Sequence, residues 1–272
     1  GEPQEAVESW KQVMSLAPTD GEAMDQIGKL LATQGRVPEL IDVLKRQLNI
    51  EEDTTRRVAL LFQMGSLQDE HLNDAAGALT TFRRLLELAP TDQNALSRMD
   101  ALCEDQQRWP ELADVLGRRA ALAPAEEKPA SNFKLAVVRE TRLLDKSGAI
   151  ELYRELLADN ARHSGALQRL EAIAQKEPQN QAAFQVLAKA YLDGIDPVKL
   201  SALIEARVTV SPDVVERKTL LQELAQIRDA QSEGLVRSAS AALMAKAVYA
   251  YIEGLLSLAR IKNKLDVLDA ME

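Results

Sequence analysis

The sequence predicts an all-α fold made of repeated helix pairs, and two observations support this prediction. The stretch Pro-Glu-Leu-Ile-Asp-Val-Leu at residues 38–44 returns at residues 110–116, 72 positions later, with Ala in place of Ile. The stretch Leu-Ala-Pro-Thr-Asp at residues 16–20 returns at residues 88–92 with the same step. Apolar residues between these echoes recur at spacings of three and four, which is the pattern of amphipathic helices. A fixed internal period indicates an array whose units bury their apolar faces against one another.

The predicted helices are bounded by start and stop signals. Pro18 ends the first helix, and Thr19 or Asp20 caps the second by offering a side-chain oxygen to its free N–H groups. The second helix stops at Gly35, and Pro38 lies in the first turn of the third, where its missing N–H is harmless. In chain order the helices cover residues 3–16, from the cap at 20 to 34, 38–48, 55–70, 75–88, from the cap at 92 to 103, 109–123, 132–144, 148–158, 165–175, 184–191, 198–210 and 214–229.

A third copy of the long unit keeps the repeat pattern in its first part and then departs from it. Trp10, Phe82 and Tyr153 occupy equivalent places in three successive units. Another Pro-Glu-Leu helix is expected near residue 180, but residues 184–191 look like the first helix of a pair. The helix at 165–175 is then left without a partner, so we expect an irregular joint near residues 164–180. A longer loop is expected at residues 125–130.

The repeat pattern divides the chain into an array at residues 1–212 and a degenerate C-terminal part at residues 213–272. Terminal repeats are often atypical because they close the exposed end of the core. The Ala-rich run 239–259 contains Lys246 and Glu253 near its middle, which argues against a membrane span. We expect this run to be a capping helix or the seam of a homodimer.

The composition excludes several classes of function. Apolar residues make up 46% of the chain and aromatic residues only 4%, so the predicted core is aliphatic. The net charge of −9 argues against a nucleic-acid partner, because such binding depends on dense Lys and Arg. The single cysteine, Cys103, excludes an internal disulfide framework and stands at an apolar helix position.

The sequence shows no pattern typical of catalysis, a cofactor or a metal site. His71 and His163 are the two histidines, and no Cys/His pair has the spacing of metal ligands. A phosphate-binding glycine loop and a nucleophile elbow are both absent. Neighbouring carboxylates such as Asp69 and Glu70 point about 100° apart on a helix, which is poor geometry for acid–base chemistry. We therefore predict no enzymatic activity and no cofactor, while a regulatory arm for a catalytic domain outside this chain stays open.

The residues of these helices resemble the tetratricopeptide repeat, a helix–turn–helix unit of about 34 residues. In this family a small residue in the first helix lets the second helix pack closely. The resemblance departs from that pattern at Asp100, Val137 and Glu171, where we expect altered packing angles. It is carried by Met24, Ile27, Gly28, Leu31, Gly35, Leu40 and Leu44, by Ala6, Trp10 and Pro18, by Ala78, Phe82 and Pro90, and by Phe184, Leu187, Ala188, Tyr191 and Pro212.

The resemblance implies a right-handed α-α superhelix of about six or seven helix pairs, similar to part of a long bacterial scaffold protein. It implies a non-catalytic scaffold that binds another protein or a peptide in a concave groove lined by the first helices. Among the expected groove residues Phe62 is the strongest candidate for contacting a partner, because an aromatic side chain that faces a groove is a typical binding hot spot. The full set is Asp25, Lys29, Phe62, Ser66, Asp69, Ser97, Glu104, Lys134, Thr141, Arg142, Gln185 and Lys189.

These expectations lead to a set of partner predictions. We predict a protein or peptide partner, no nucleic acid and no membrane insertion, with homodimerisation through 239–259 as the structural alternative. A cytoplasmic location is expected, although a chain that begins at Gly1 rather than Met suggests a fragment that lacks its native targeting signals.

Overall fold

The computed structural model describes residues 3–232, which form thirteen helices and no strand. The all-α prediction is confirmed for this part of the chain. The run 239–259, with the predicted cap or homodimer seam, lies outside the described residues. In chain order the helices are α1 Pro3–Leu16, α2 Gly21–Thr33, α3 Val37–Ile50, α4 Thr54–Glu70, α5 Ala75–Leu88, α6 Gln93–Asp105, α7 Trp109–Leu122, α8 Lys128–Thr141, α9 Lys146–Asp159, α10 Ser164–Lys176, α11 Gln181–Asp193, α12 Pro197–Val210 and α13 Val214–Ser232.

The helix bounds agree closely with the predicted ones, because local capping signals set most of them. Asp20, rather than Thr19, caps α2 by accepting the Ala23 N–H at 3.1 Å. Asp92 caps α6 in the same way, by accepting the Ala95 N–H at 2.8 Å. Each carboxylate satisfies one of the free N–H groups that every helix start exposes.

Helix α8 differs most from its predicted bounds of 132–144. It begins at Lys128, so half of the predicted loop at 125–130 is helical. Pro129 fits there because the first turn of a helix needs no N–H from it. The helix ends early, and Leu144 adopts a φ of 56°, which is outside the helical region.

The chain divides into two compact units, with the division between Ser131 and Asn132. Unit 1 contains α1–α7, and unit 2 contains the larger part of α8 together with the helices that follow it. The predicted boundary at residue 212 stays a prediction, as does the handedness of the array.

Unit 1 is built from two layers of helices. Successive helices pack against one another, and helices two apart in sequence are joined by ion pairs. Arg83 of α5 contacts Glu111 of α7 at 2.7 Å, and Lys11 of α1 contacts Glu39 of α3 at 3.2 Å. These odd-numbered helices form the odd layer. The pair between Glu70 of α4 and Arg98 of α6, at 2.6 Å, joins helices of the even layer.

Unit 2 shows the same alternation. Glu140 of α8 accepts from Arg169 of α10 at 2.8 Å, and Glu171 of α10 accepts from Lys199 of α12 at 2.8 Å. Helices α8, α10 and α12 therefore form the even layer of this unit. Helix α11 contacts both α10 and α9, which places α9 and α11 in the odd layer. The change of direction that the sequence predicts near 164–180 stays a prediction.

The close packing of α4 against α5 depends on a small residue in α4. A Cβ atom added to Gly65 of α4 would lie 2.9 Å from two ring carbons of Phe82 on α5. Phe82 and Tyr153 are fully buried, while Trp10 on α1 is only half-buried. Gly65 therefore lets α4 approach an aromatic side chain that no larger residue would accommodate.

Two of the residues that depart from the small-residue pattern are held by polar partners. Asp100 is 6% exposed and forms an ion pair with Arg119 of α7. Glu171 accepts a hydrogen bond from the Tyr191 hydroxyl at 2.6 Å. The larger side chain at each place thus finds a donor on the following helix, as a buried carboxylate requires. Val137 is half-buried and needs no such partner.

Candidate protein-binding grooves

A groove of about 490 Å³ lies between α10 and α12 of unit 2, and we name it the α10–α12 groove. Its floor is formed by Phe184, Leu187 and Tyr191 of α11, which lies beneath the two helices. Ala202 and Ala206 on α12 lie one helical turn apart on one wall. Their small side chains leave space between the two helices above this floor.

One end of the α10–α12 groove is closed by a three-residue polar contact. Glu171 accepts hydrogen bonds from Tyr191 and Lys199, and the Lys199 ammonium lies 5.6 Å from the centre of the Tyr191 ring. Burial pushes the pKa of Glu171 upward, but the two hydrogen bonds outweigh it and hold that pKa below its usual value. Burial and the bond to Glu171 raise the pKa of the Tyr191 hydroxyl. Glu171 is therefore a carboxylate at neutral pH, and it fixes the positions of both partners.

The other end of the groove is organised by the guanidinium of Arg207, which is 8% exposed. It donates to the Pro178 carbonyl oxygen at 3.1 Å and pairs with Glu216 at 2.9 Å. It also donates to Gln181 and lies 5.6 Å from the centre of the Phe184 ring. The contacts with Pro178, Gln181 and Phe184 tie α12 to the start of α11, and the pair with Glu216 ties it to α13, so the width of the groove is set from within the protein.

A smaller groove of about 160 Å³ lies on the even layer of unit 1, between α2 and α4. Asp25 of α2 and Leu60 of α4 contribute to its lining. The Asp25 carboxylate accepts a hydrogen bond from the Gln47 amide at 2.6 Å. Asp25 thus lines this groove, but one of its oxygen atoms already accepts a hydrogen bond.

The odd layer carries grooves that the sequence analysis does not predict. In unit 1 a groove of about 880 Å³ lies between α5 and α7, with Leu86, Met99 and Val115 among its lining residues. Its rim holds two ion pairs, Arg83 with Glu111 at 2.7 Å and Arg118 with Asp114 at 3.0 Å. Binding was expected only on first helices, so this groove between second helices was not predicted. The repeated Pro-Glu-Leu stretch nevertheless forms the start of α7, one of its two walls.

The corresponding groove of unit 2 has a volume of about 260 Å³ and lies between α9 and α11. Leu157 and Val186 lie at its base, where they are 4% and 5% exposed, and Arg154, Gln185 and Lys189 surround them. Gln185 and Lys189 are expected on the first-helix side of the array. The structure instead places both opposite α9, in the odd layer, because α11 packs against that helix.

The other predicted groove residues lie at several separate places. Phe62 is half-buried, and its ring packs edge-on against Phe82 with centroids 5.8 Å apart. Ser66 has its hydroxyl oxygen enclosed without a hydrogen-bond partner, and Thr141 donates to the Val137 carbonyl oxygen at 2.7 Å. Exposed side chains are Lys29, Ser97, Glu104, Thr141 and Arg142, and half-buried ones are Asp69 and Lys134.

Two titratable groups outside the grooves are shifted by burial. Burial raises the pKa of the Cys103 thiol to about 11, and Glu111 adds to that shift. Cys103 is therefore a buried thiol rather than a thiolate at neutral pH. Burial also raises the pKa of Glu223 on α13 to about 8, and its Oε1 atom has no hydrogen-bond partner.

Residues 3–232 hold no group of three or more His, Cys, Asp or Glu side chains arranged to bind a metal ion. Among the thirteen helices, none combines the length and the apolar character that a membrane crossing requires.

Comparisons with known proteins identify the repeat. The model of the tetratricopeptide repeat family matches residues 59–92, which include most of α4 and all of α5. A comparison with curated protein sequences finds no relative. The solved structures that match are distant in sequence. YrrB, a tetratricopeptide repeat protein with an unusual peptide-binding site, is 14% identical over 62% of this chain and 84% of its own, with a TM-score of 0.39.

Two further matches are equally distant. MamA is 17% identical over 76% of this chain and 97% of its own, with a TM-score of 0.35. The complex of Naa15 and Naa10 bound to HypK gives 14% identity over 88% of this chain and 40% of the matched chain, with a TM-score of 0.43.

The matched residues contain the contact that defines the helix pair. Gly65 of α4 faces the ring of Phe82 on α5, and Pro90 follows the end of α5. Helices α2 with α3 and α6 with α7 pack as pairs on either side of α4 with α5. Residues 59–92 of this chain therefore match the tetratricopeptide repeat, and the helix pairs on either side pack in the same way.

Proposed function

We propose that this chain is a non-catalytic scaffold for protein–protein interaction and that it binds an extended segment of a partner protein in the α10–α12 groove. Repeats of this family support a protein-interaction role in general. The observation that carries the finer proposal is a groove between two helices, with Leu203 and Val210 giving it partly exposed apolar walls. Apolar clefts with a few well-placed polar groups are the usual form of a binding site.

The walls favour a partner side chain that is aliphatic or aromatic. Ala174 of α10 and Leu203 and Val210 of α12 supply partly exposed apolar surface along the walls of the groove. A partner side chain that lies on them removes apolar surface from water at about 25 cal/mol per Å². Tyr and other aromatic residues are also enriched among the residues that dominate binding energy.

The wall of the groove offers one free amide. Gln175 is exposed, and its side chain makes no hydrogen bond within the described residues. An amide both donates and accepts, so it suits the backbone of an extended peptide. The ends of the groove are fixed by Glu171 with Lys199 and by Arg207, so binding needs little rearrangement of the protein.

The test is to fill the groove without disturbing its floor. Ala206 lines the groove and is exposed, so Ala206→Arg places a long side chain across it. Ala76→Arg on α5 is the matched control, because Ala76 is an exposed helical alanine of unit 1. Partners captured from the source organism and identified by mass spectrometry should be lost with Ala206→Arg and retained with Ala76→Arg.

Two outcomes would contradict the proposal. Failure of the wild-type chain to capture any protein argues against a scaffold role. Equal capture by both variants argues against the α10–α12 groove as the site.

Two alternatives from the sequence remain as hypotheses. Self-assembly through residues 239–259 predicts a molar mass that rises with concentration, which light scattering measures. A role as the regulatory arm of a catalytic domain predicts such a domain in the full-length reading frame. The cytoplasmic location also stays a prediction.

A further inference from the structure

The two odd-layer grooves occupy equivalent places in successive copies of the long repeat. A step of 71 residues converts seven lining residues of the α5–α7 groove into seven of the eight that line the α9–α11 groove. Two basic and two aliphatic positions keep their chemical type, while Leu122 becomes Asp193. The equivalent pairs are Arg83 with Arg154, Leu86 with Leu157, Val115 with Val186, and Arg118 with Lys189.

The acidic positions do not keep their type. Glu87, Glu111 and Asp114 of unit 1 become Ala158, Ala182 and Gln185 in unit 2. In the α5–α7 groove, two of these acids hold the rim cations in ion pairs, as described above. The α9–α11 groove has therefore lost the groups that neutralise its cations.

The cations of the α9–α11 groove are available for a ligand. Lys189 is exposed and makes no ion pair within the described residues. Arg154 pairs only with Glu151 on its own helix, and both side chains are more than half exposed. Such an exposed pair contributes little and is easily exchanged. The lining contains one acid, Asp193, which stands where unit 1 has Leu122 and forms no ion pair with Lys189.

We propose that the α9–α11 groove binds a short acidic segment of a partner protein that carries aliphatic side chains. The aliphatic side chains lie against Leu157 and Val186, in a space of about 260 Å³ that admits a few side chains rather than a whole helix. The carboxylates of the segment pair with Lys189 and Arg154 at the rim. Opposite charges arranged in this way give an interface its specificity and its rate of association.

This site lies on a different layer from the α10–α12 groove, so the two proposals fail separately. The probe is a set of fluorescein-labelled eight-residue peptides that place leucines and aspartates in different orders on an Ala–Ser background. Fluorescence anisotropy with the full chain at low salt measures their binding. At least one peptide should bind, and its affinity should fall as salt is added, because the ion pairs are exposed.

The internal repeat supplies the matched variants. Lys189→Glu should weaken binding of that peptide about tenfold. Gln185→Asp places beside Lys189 the acid that unit 1 has beside Arg118. The new carboxylate should pair with Lys189 and weaken binding of the peptide severalfold. Arg118→Glu, at the position of unit 1 equivalent to Lys189, should leave the affinity unchanged. Ala206→Arg should also leave it unchanged.

Three results would overturn the inference. One is that no peptide of the set binds. Another is that peptides with lysine in place of aspartate bind equally well. The third is that Arg118→Glu weakens binding as much as Lys189→Glu does.

Discussion

The guanidinium of Arg83 on α5 donates to the carboxylate of Glu111 on α7 at 2.7 Å. One period of 72 residues earlier, Lys11 on α1 donates to Glu39 on α3 at 3.2 Å. A second cation supports each acid from the start of its own helix, Arg36 for Glu39 and Arg108 for Glu111. The glutamate of the repeated Pro-Glu-Leu stretch is thus the residue that joins neighbouring second helices, which explains why it recurs.

The contact between Gly65 and Phe82 predicts a steric penalty at one helix pair. Gly65→Ala should lower the free energy of unfolding by about 1–3 kcal/mol, because its Cβ would lie 2.9 Å from the Phe82 ring. Urea denaturation followed by circular dichroism measures the change.

Gly28→Ala is the matched control at the equivalent place in α2. The nearest atom to its Cβ is Leu40 Cδ1 at 3.6 Å, which is an ordinary contact. This variant should be neutral or more stable by up to about 1 kcal/mol, because Ala favours a helix over Gly. Equal losses in both variants would show that ring crowding is not the cause.

The buried ion pair between Asp100 and Arg119 predicts a large effect from a single carboxylate. The Asp100 side chain is 8% exposed and the Arg119 side chain 36%. Asp100→Ala should lower the free energy of unfolding by about 2–3 kcal/mol, because the partly buried guanidinium of Arg119 loses its ion-pair partner. Asp114→Ala removes the exposed pair with Arg118, and it should change stability by less than about 0.5 kcal/mol. The prediction is wrong if thermal denaturation gives the two variants the same midpoint.

The buried carboxyl of Glu223 predicts a dependence of stability on pH. Its pKa in the folded protein, about 8, lies above the ordinary value of 4.5. Folding favours the protonated form of Glu223. The stability that this form contributes to the folded protein is fully present below pH 4.5 and is lost as pH rises towards 8. Glu223→Gln should therefore gain stability over the wild type as pH rises across this window. The expected gap is on the order of 1 kcal/mol at pH 8, since the group keeps some access to solvent.

Thermal melts of both proteins between pH 5 and pH 9 measure this gap. Glu155→Gln on α9 is the control, because Glu155 is exposed and should show no gap that grows with pH. A gap for Glu223→Gln that stays constant over the whole range would contradict the assignment.

The cap that His163 provides at the start of α10 predicts that two replacements of this residue will differ in stability. His163 Nδ1 accepts the Ala166 N–H at 3.1 Å and so caps the helix, and its ring lies 5.3 Å from that of Phe133. His163→Asn keeps a cap oxygen, whereas His163→Ala leaves the N–H without a partner. The Ala variant should be about 1 kcal/mol less stable than the Asn variant in urea denaturation. If both variants lose the same amount, the ring contact rather than the cap is what matters.

The helices and their bounds could be predicted from the sequence because their signals are local. Asp20 and Asp92 cap helices within three residues of themselves, and apolar spacing marks the buried face of each helix. The resemblance also implied that a small residue in a first helix lets the second pack closely, as Gly65 does for Phe82. The site residues could not be predicted as well, since a groove depends on which helices become neighbours.

The sequence by itself determined that this chain forms paired helices with a period of 71–72 residues, because caps, breaks and apolar spacing act within a few residues. Only the tertiary structure decided that Lys189 faces α9, that Phe62 packs against Phe82, and that Asp100 meets Arg119. Each of these contacts joins different helices, and the packing of whole helices sets which side chains meet.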